Sequence, residues 1–119
     1  MLEFVIKRFD SPDEIREFPK GRFEVVRVGT LAIGRATYEP GWRWSEHVGA
    51  ATATALCMTP HVGMVVSGRA AVSWPNGTID EMSAGDLFSI APGHDSWVIG
   101  DEPYVSLHFS GADDYARSH

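Results

Sequence analysis

The sequence predicts an all-β domain (a sandwich, barrel or jelly roll), and three observations carry that expectation. Short runs of β-branched or alternating residues recur at regular spacing, each punctuated by Gly or Pro. Asn76-Gly77, between Arg69–Trp74 and Thr78–Met82, is the strongest short hairpin signal in the chain. The stretch from Gly85 to His94 reads as a short buried strand that stops at a rigid Pro-Gly turn and presents a histidine just beyond it. A barrel aims a polar group into its own interior in this way.

The bulk composition bounds the rest. The 119 residues suffice for one domain with a real core and are too few for two. A hydrophobic content of 44% and a charged content of 22% fit an ordinary globular protein and argue against extensive disorder. The net charge is −6 and the basic residues are scattered, which excludes a phosphate-tracking face and so a nucleic-acid partner. A lone Cys57 excludes an internal disulfide and fits a reducing compartment. No apolar run approaches the roughly 20 residues of a membrane helix, and Met1–Arg8 lacks the order of a signal peptide. The expected location is the cytoplasm, with no membrane partner.

Ser11-Pro12-Asp13-Glu14 has the form of a capping box, so a short N-terminal helix is expected, stopped by Pro19 and Gly21. Strands are expected at Phe23–Val28 and Leu31–Tyr38, separated by Gly29-Thr30. Pro40-Gly41 turns the chain into a further strand, Trp42–Val48. The small residues from Gly49 to Thr59 lack turn chemistry and a clear period. They read as a long loop, with an Ala-rich helix as the alternative. Val62–Ser67, Arg69–Trp74, Thr78–Met82, Asp86–Ile90, Ser96–Ile99 and Val105–Phe109 complete the strands, and a second helical turn is expected at Ala112–Arg117.

Two motifs then carry a family likeness. Gly41, five residues and His47 match the start of G-x5-H-x-H-x3,4-E-x6-G, and counting back from Gly68 through six residues lands on His61, where that motif has glutamate. Its second histidine falls on Gly49. In G-x5-P-x-G-x2-H-x3-N, Gly85 and Gly93 fit, the histidine falls on Ser96 and the asparagine on Gly100, while His94 stands two residues early. With these residues the chain resembles a small single-domain bacterial cupin. The resemblance implies a double-stranded β-helix, or jelly-roll barrel, spanning about residues 21–110 of a single domain over 1–119. It also implies a metal centre inside that barrel.

Residues 94 and 96 share strand parity, so an imidazole at 94 reaches toward the centre that one at 96 would. The implied metal site is then His47, His61 and His94, three neutral imidazoles suited to zinc, nickel, iron or copper. Glu46 and Asp95 have the opposite parity to their histidine neighbours. The alternative is a metal-free polar cavity in which the histidines bond to each other and to water.

His108 shares a face with Tyr104 and Ser106, opposite the apolar Val105, Leu107 and Phe109, and is expected to face outward or an interface, with a fourth ligand position as the alternative. Trp42, Trp44 and Trp97 are expected to pack, and Cys57 reads as an inert loop thiol. Arg43 and Ser45, of the same parity as His47, are candidates to orient a substrate.

Three functions remain open at this level. One is an enzyme acting through a barrel metal on a small organic acid, thiol or carbonyl compound. Another is a non-catalytic module that captures a metabolite or metal. The third is a structural homodimer with a vestigial cavity.

Overall fold

The structure, a computed structural model, describes residues 4–52 and 54–115. Nine strands are described: β1 (Glu14–Phe18), β2 (Gly21–Val28), β3 (Leu31–Tyr38), β4 (His61–Ser67), β5 (Arg69–Ser73), β6 (Ile79–Ser83), β7 (Leu87–Ile90), β8 (Asp95–Ile99) and β9 (Tyr104–Ser110). They form a six-stranded sheet in the order β1-β2-β3-β9-β4-β7 and a three-stranded sheet in the order β6-β5-β8. Every pairing between these strands is antiparallel. Both sheets turn apolar residues inward: Phe23, Val25, Ala36 and Val65 from the large sheet, Ala70 and Val98 from the small one. No described helix is long and apolar enough to cross a membrane.

The expected N-terminal helix is a strand instead. Asp13 and Glu14 do not act as caps. The Asp13 carboxylate accepts from the Arg27 backbone N–H at 2.7 Å and from Lys7. Arg16 is buried between exposed Ile15 and exposed Glu17, a period of two, and it pairs across from Phe23. A helix this short would be marginal alone, whereas pairing with β2 satisfies the backbone directly. The residues that were to stop it, Pro19 and Gly21, build a tight hairpin, with Lys20 at a φ of 63°.

The Trp42–Val48 strand is also corrected. Trp44–His47 forms one helical turn, α1, followed by a 3-10 turn at Gly49–Ala51. The Asp95 carboxylate fixes it, accepting from Ser45 N–H at 3.0 Å and from Ser45 Oγ at 2.8 Å. Its buried face carries Trp44, while Trp42 just before it stacks on Tyr38 with ring centroids 3.7 Å apart. Arg43 lies over the Trp97 ring at 4.3 Å and pairs with Asp95 at 3.4 Å. Packing thus accounts for Trp42, Trp44 and Trp97, and tertiary bonding occupies Arg43 and Ser45. The final expected turn begins as foreseen, with Tyr115 N–H donating to Gly111 O at 3.1 Å. Its last two positions, 116 and 117, lie outside the described residues.

Candidate metal centre

The Pro92-Gly93 turn works as its sequence implies. Gly93 sits at a φ of 92°, a region that side chains disfavour, and the chain re-enters the barrel wall at His94. There it pairs with Cys57: Cys57 N–H donates to His94 O at 2.8 Å and Gly93 N–H donates to Cys57 O at 2.8 Å. The long loop is therefore pinned to the end of the Gly85–His94 stretch. His61 opens β4 opposite Ile90 of β7. Loop, strand and turn together bring Cys57, His61 and His94 to one place, all buried, with their donor atoms within 4.8 Å of one another.

The protonation pattern follows from what each donor atom meets. Ala91 O can only accept, so His94 Nδ1 is the donor in their 2.7 Å contact and the ring's lone pair is left on Nε2. Burial pushes His94 below the usual histidine range and holds His61 down at about 2, with His108 and His94 adding to the effect. Both rings are neutral, the state a ligand needs. Cys57 Sγ lies 3.4 Å from His61 Nε2, and burial pushes the thiol up to about 11. In the metal-free protein this is an unreactive thiol. His61 Nδ1 is buried without a partner. One sulfur and two imidazole nitrogens, with no carboxylate among them, fit zinc and similar borderline metals well.

His47 is not part of this cluster. The Arg43 N–H donates to His47 Nδ1 at 2.9 Å, which occupies that lone pair within α1. Asp95 is likewise committed to Ser45 and Arg43. His108, by contrast, faces inward, opposite to the sequence expectation. It is buried, lies between Gly34 and Gly63 in the strand register, and its ring centroid is 5.2 Å from that of His61. The apolar Val105, Leu107 and Phe109 are the outward set, while Tyr104, Ser106 and His108 are buried.

Cys57 was missed as a site residue because it sits in a loop without periodicity. A signal for it exists nonetheless. Counted back from His61 with the three-residue spacing, rather than forward from Gly41, the first motif places its second histidine at 57.

The cluster borders a cavity of about 30 Å³, roughly the size of one water. His61, His94, His108, Tyr104, Tyr115 and Ser96 supply its polar wall, and Trp42, Phe88 and Met82 are among its apolar residues. His108 Nε2 and Ser106 Oγ are 2.9 Å apart, and His108 Nδ1 is buried without a partner. Burial alone takes His108 down to about 3.

No protein-family model matches the sequence, and no curated protein matches it either. Solved structures do. A sugar phosphate isomerase of the cupin superfamily from Silicibacter pomeroyi superposes with a TM-score of 0.62 at 16% identity, over 87% of this chain and 73% of that one. A cupin-2 domain from Rhodospirillum rubrum gives 0.56 at 17%, over 88% and 65%. The chain has the cupin fold. The oxalate decarboxylase of Lactobacillus farciminis gives 0.60 at 18%, over 89% of this chain, which spans only 33% of that enzyme. Such identities establish a shared cupin architecture, and the chemistry has to be argued from this chain's own residues.

Proposed function

We propose that this cupin holds a divalent transition metal, zinc first among the candidates, through Cys57, His61 and His94. At that centre it would bind or transform a small uncharged organic molecule. The observation that carries this is the convergence of three buried donors from loop, strand and turn on one point. Bound there, the metal would supply Lewis acidity or an activated water.

The chain's own residues do the rest. Ala91 O fixes the tautomer of His94. Phe88, Met82 and Trp42 give the cavity an apolar wall. His108 offers its unpartnered Nδ1 toward a ligand's polar end while Ser106 holds the other side of the ring. No Lys, Arg, Asp or Glu is among the described residues lining the cavity, which disfavours a multiply charged substrate.

The small volume favours a second function from another class, a metal-holding module without turnover. Elemental analysis of untagged protein tests the metal in both. Stoichiometric metal in the wild type, lost in His61→Ala, supports it, and trace metal in both would overturn it. A cobalt-loaded protein whose visible spectrum shifts with small neutral thiols or alcohols would favour a ligand-binding centre over a closed structural one.

A further inference from the structure

Tyr115 forms the wall of the cavity beside His61 and His108. Its ring lies 4.9 Å from that of His61 and 5.9 Å from that of His108, and it meets Phe23 edge-on at 4.7 Å. Its hydroxyl bonds to that of Tyr38. Other wall residues, such as Tyr38, Phe88 and Ser96, belong to paired strands. Tyr115 does not: β9 ends at Ser110, and the turn Gly111–Tyr115 lies beyond the ladder.

Two side chains hold that turn from outside: Arg27 pairs with the exposed Asp113 carboxylate at 3.0 Å, and Arg16 grips the backbone. The Arg16 guanidinium, itself buried, donates to the carbonyl oxygens of Ala112 at 2.7 Å, Asp113 at 3.0 Å and Tyr115. The geometry suits arginine, whose planar fork presents several donors at once. Arg16 Nε is meanwhile paired with Glu14 at 2.6 Å. On the other side, Gly111 adopts a φ of 80° and packs so closely on Pro60 that a Cβ would collide with its carbonyl oxygen. The turn thus leans on the segment that joins Cys57 to His61.

We propose that the Gly111–Tyr115 turn is the door of the cavity, with Tyr115 as its panel and Arg16 as its latch. Tyr115 then sets the size of molecule that reaches Cys57, His61 and His94. The turn swings without breaking a strand pairing, since it is held by the Arg16 and Arg27 side chains and by packing on Pro60. Arg16 is a positioning residue that acts through Tyr115. The proposal rests on the barrel interior being the functional site, and it names the admitted class: small, uncharged molecules that pass between Tyr115 and the large sheet.

Cys57 is the only cysteine, so alkylation of metal-free protein reports this one site, and its rate rises as opening admits both the probe and the water that frees the thiolate. N-ethylmaleimide serves as the small probe and a fluorescein maleimide as the bulky one. Arg16→Gln and Tyr115→Ala are expected to speed labelling by about tenfold or more, the bulky probe gaining most in Tyr115→Ala. Arg22→Gln, an exposed change on β2 away from the turn, is expected to label as the wild type does. Denaturant unfolding of each variant separates local opening from global loss of fold. Unchanged labelling in both door variants, or labelling that rises only in proportion to global unfolding, would overturn the proposal. Wild-type protein that holds no metal but follows the expected labelling pattern would sink the metal centre and leave the door standing.

Discussion

Cys57 Sγ stands 3.4 Å from Nε2 of His61, although the two residues come from a loop without regular structure and from the first position of a central strand. The contact depends on the Pro92-Gly93 turn, because the backbone pairing of Cys57 with His94 is what draws the loop against the barrel. Thiol and imidazole are both uncharged here for the same reason, the cost of placing charge where water is excluded.

Metal binding must therefore displace a proton. With the Cys57 thiol at about 11 and both imidazoles already neutral, loading at pH 7 is expected to release about one proton per metal. Calorimetric titration in buffers of different ionisation enthalpy measures this number. Binding without release would mean that the thiol is not a ligand.

In chelator-treated protein the buried histidines make stability depend on pH. His61 and His108 are lowered from 6.5 to about 2 and about 3 by burial, so between those values the unfolded chain binds protons that the folded one refuses. Their full contribution is present above about pH 6.5 and is lost as pH falls toward the folded values. The expected slope is on the order of 1 kcal/mol per pH unit for each ring. Urea unfolding from pH 7 to pH 4 reads it, and a flat profile would contradict the burial of these two rings.

Asp95 ties the α1 turn to β8 through Ser45 and Arg43. Asp95→Ala is expected to cost about 1–3 kcal/mol of stability, since it leaves a part-buried network unsatisfied. Metal content should be retained, because Asp95 touches none of the three donors. Denaturant midpoints and elemental analysis of the same sample check both halves.

Most of the strand positions were legible in the sequence, and each failure has a physical cause. Leu31–Tyr38 alternates, is flanked by glycine and proline, and forms over the residues expected. The N-terminal segment misled because Ser11-Pro12-Asp13-Glu14 is a helix signal only where no neighbouring strand offers better bonding. His108 misled for the opposite reason. Strand alternation was read correctly as two faces, but the inward face of β9 is the one that carries Tyr104, Ser106 and His108, where Ser106 partners the buried imidazole. His61 was singled out by motif spacing and His94 by the Pro-Gly turn and strand parity, and the structure brings the two near each other. Cys57 was not singled out, because its place depends on pairing with His94 across 37 positions of sequence, and the motif points to 57 only when counted back from His61.

Cobalt(II) titration of the metal-free protein tests the central claim most directly, since a thiolate-to-cobalt charge-transfer band reports a bound cysteine. The wild type and His47→Ala are expected to develop that band with one equivalent of cobalt. Cys57→Ser should lose it, with an affinity loss beyond the roughly 10- to 100-fold typical of an outer-shell change. A wild type with no such band, or a band that survives Cys57→Ser, would contradict a metal centre built on Cys57, His61 and His94.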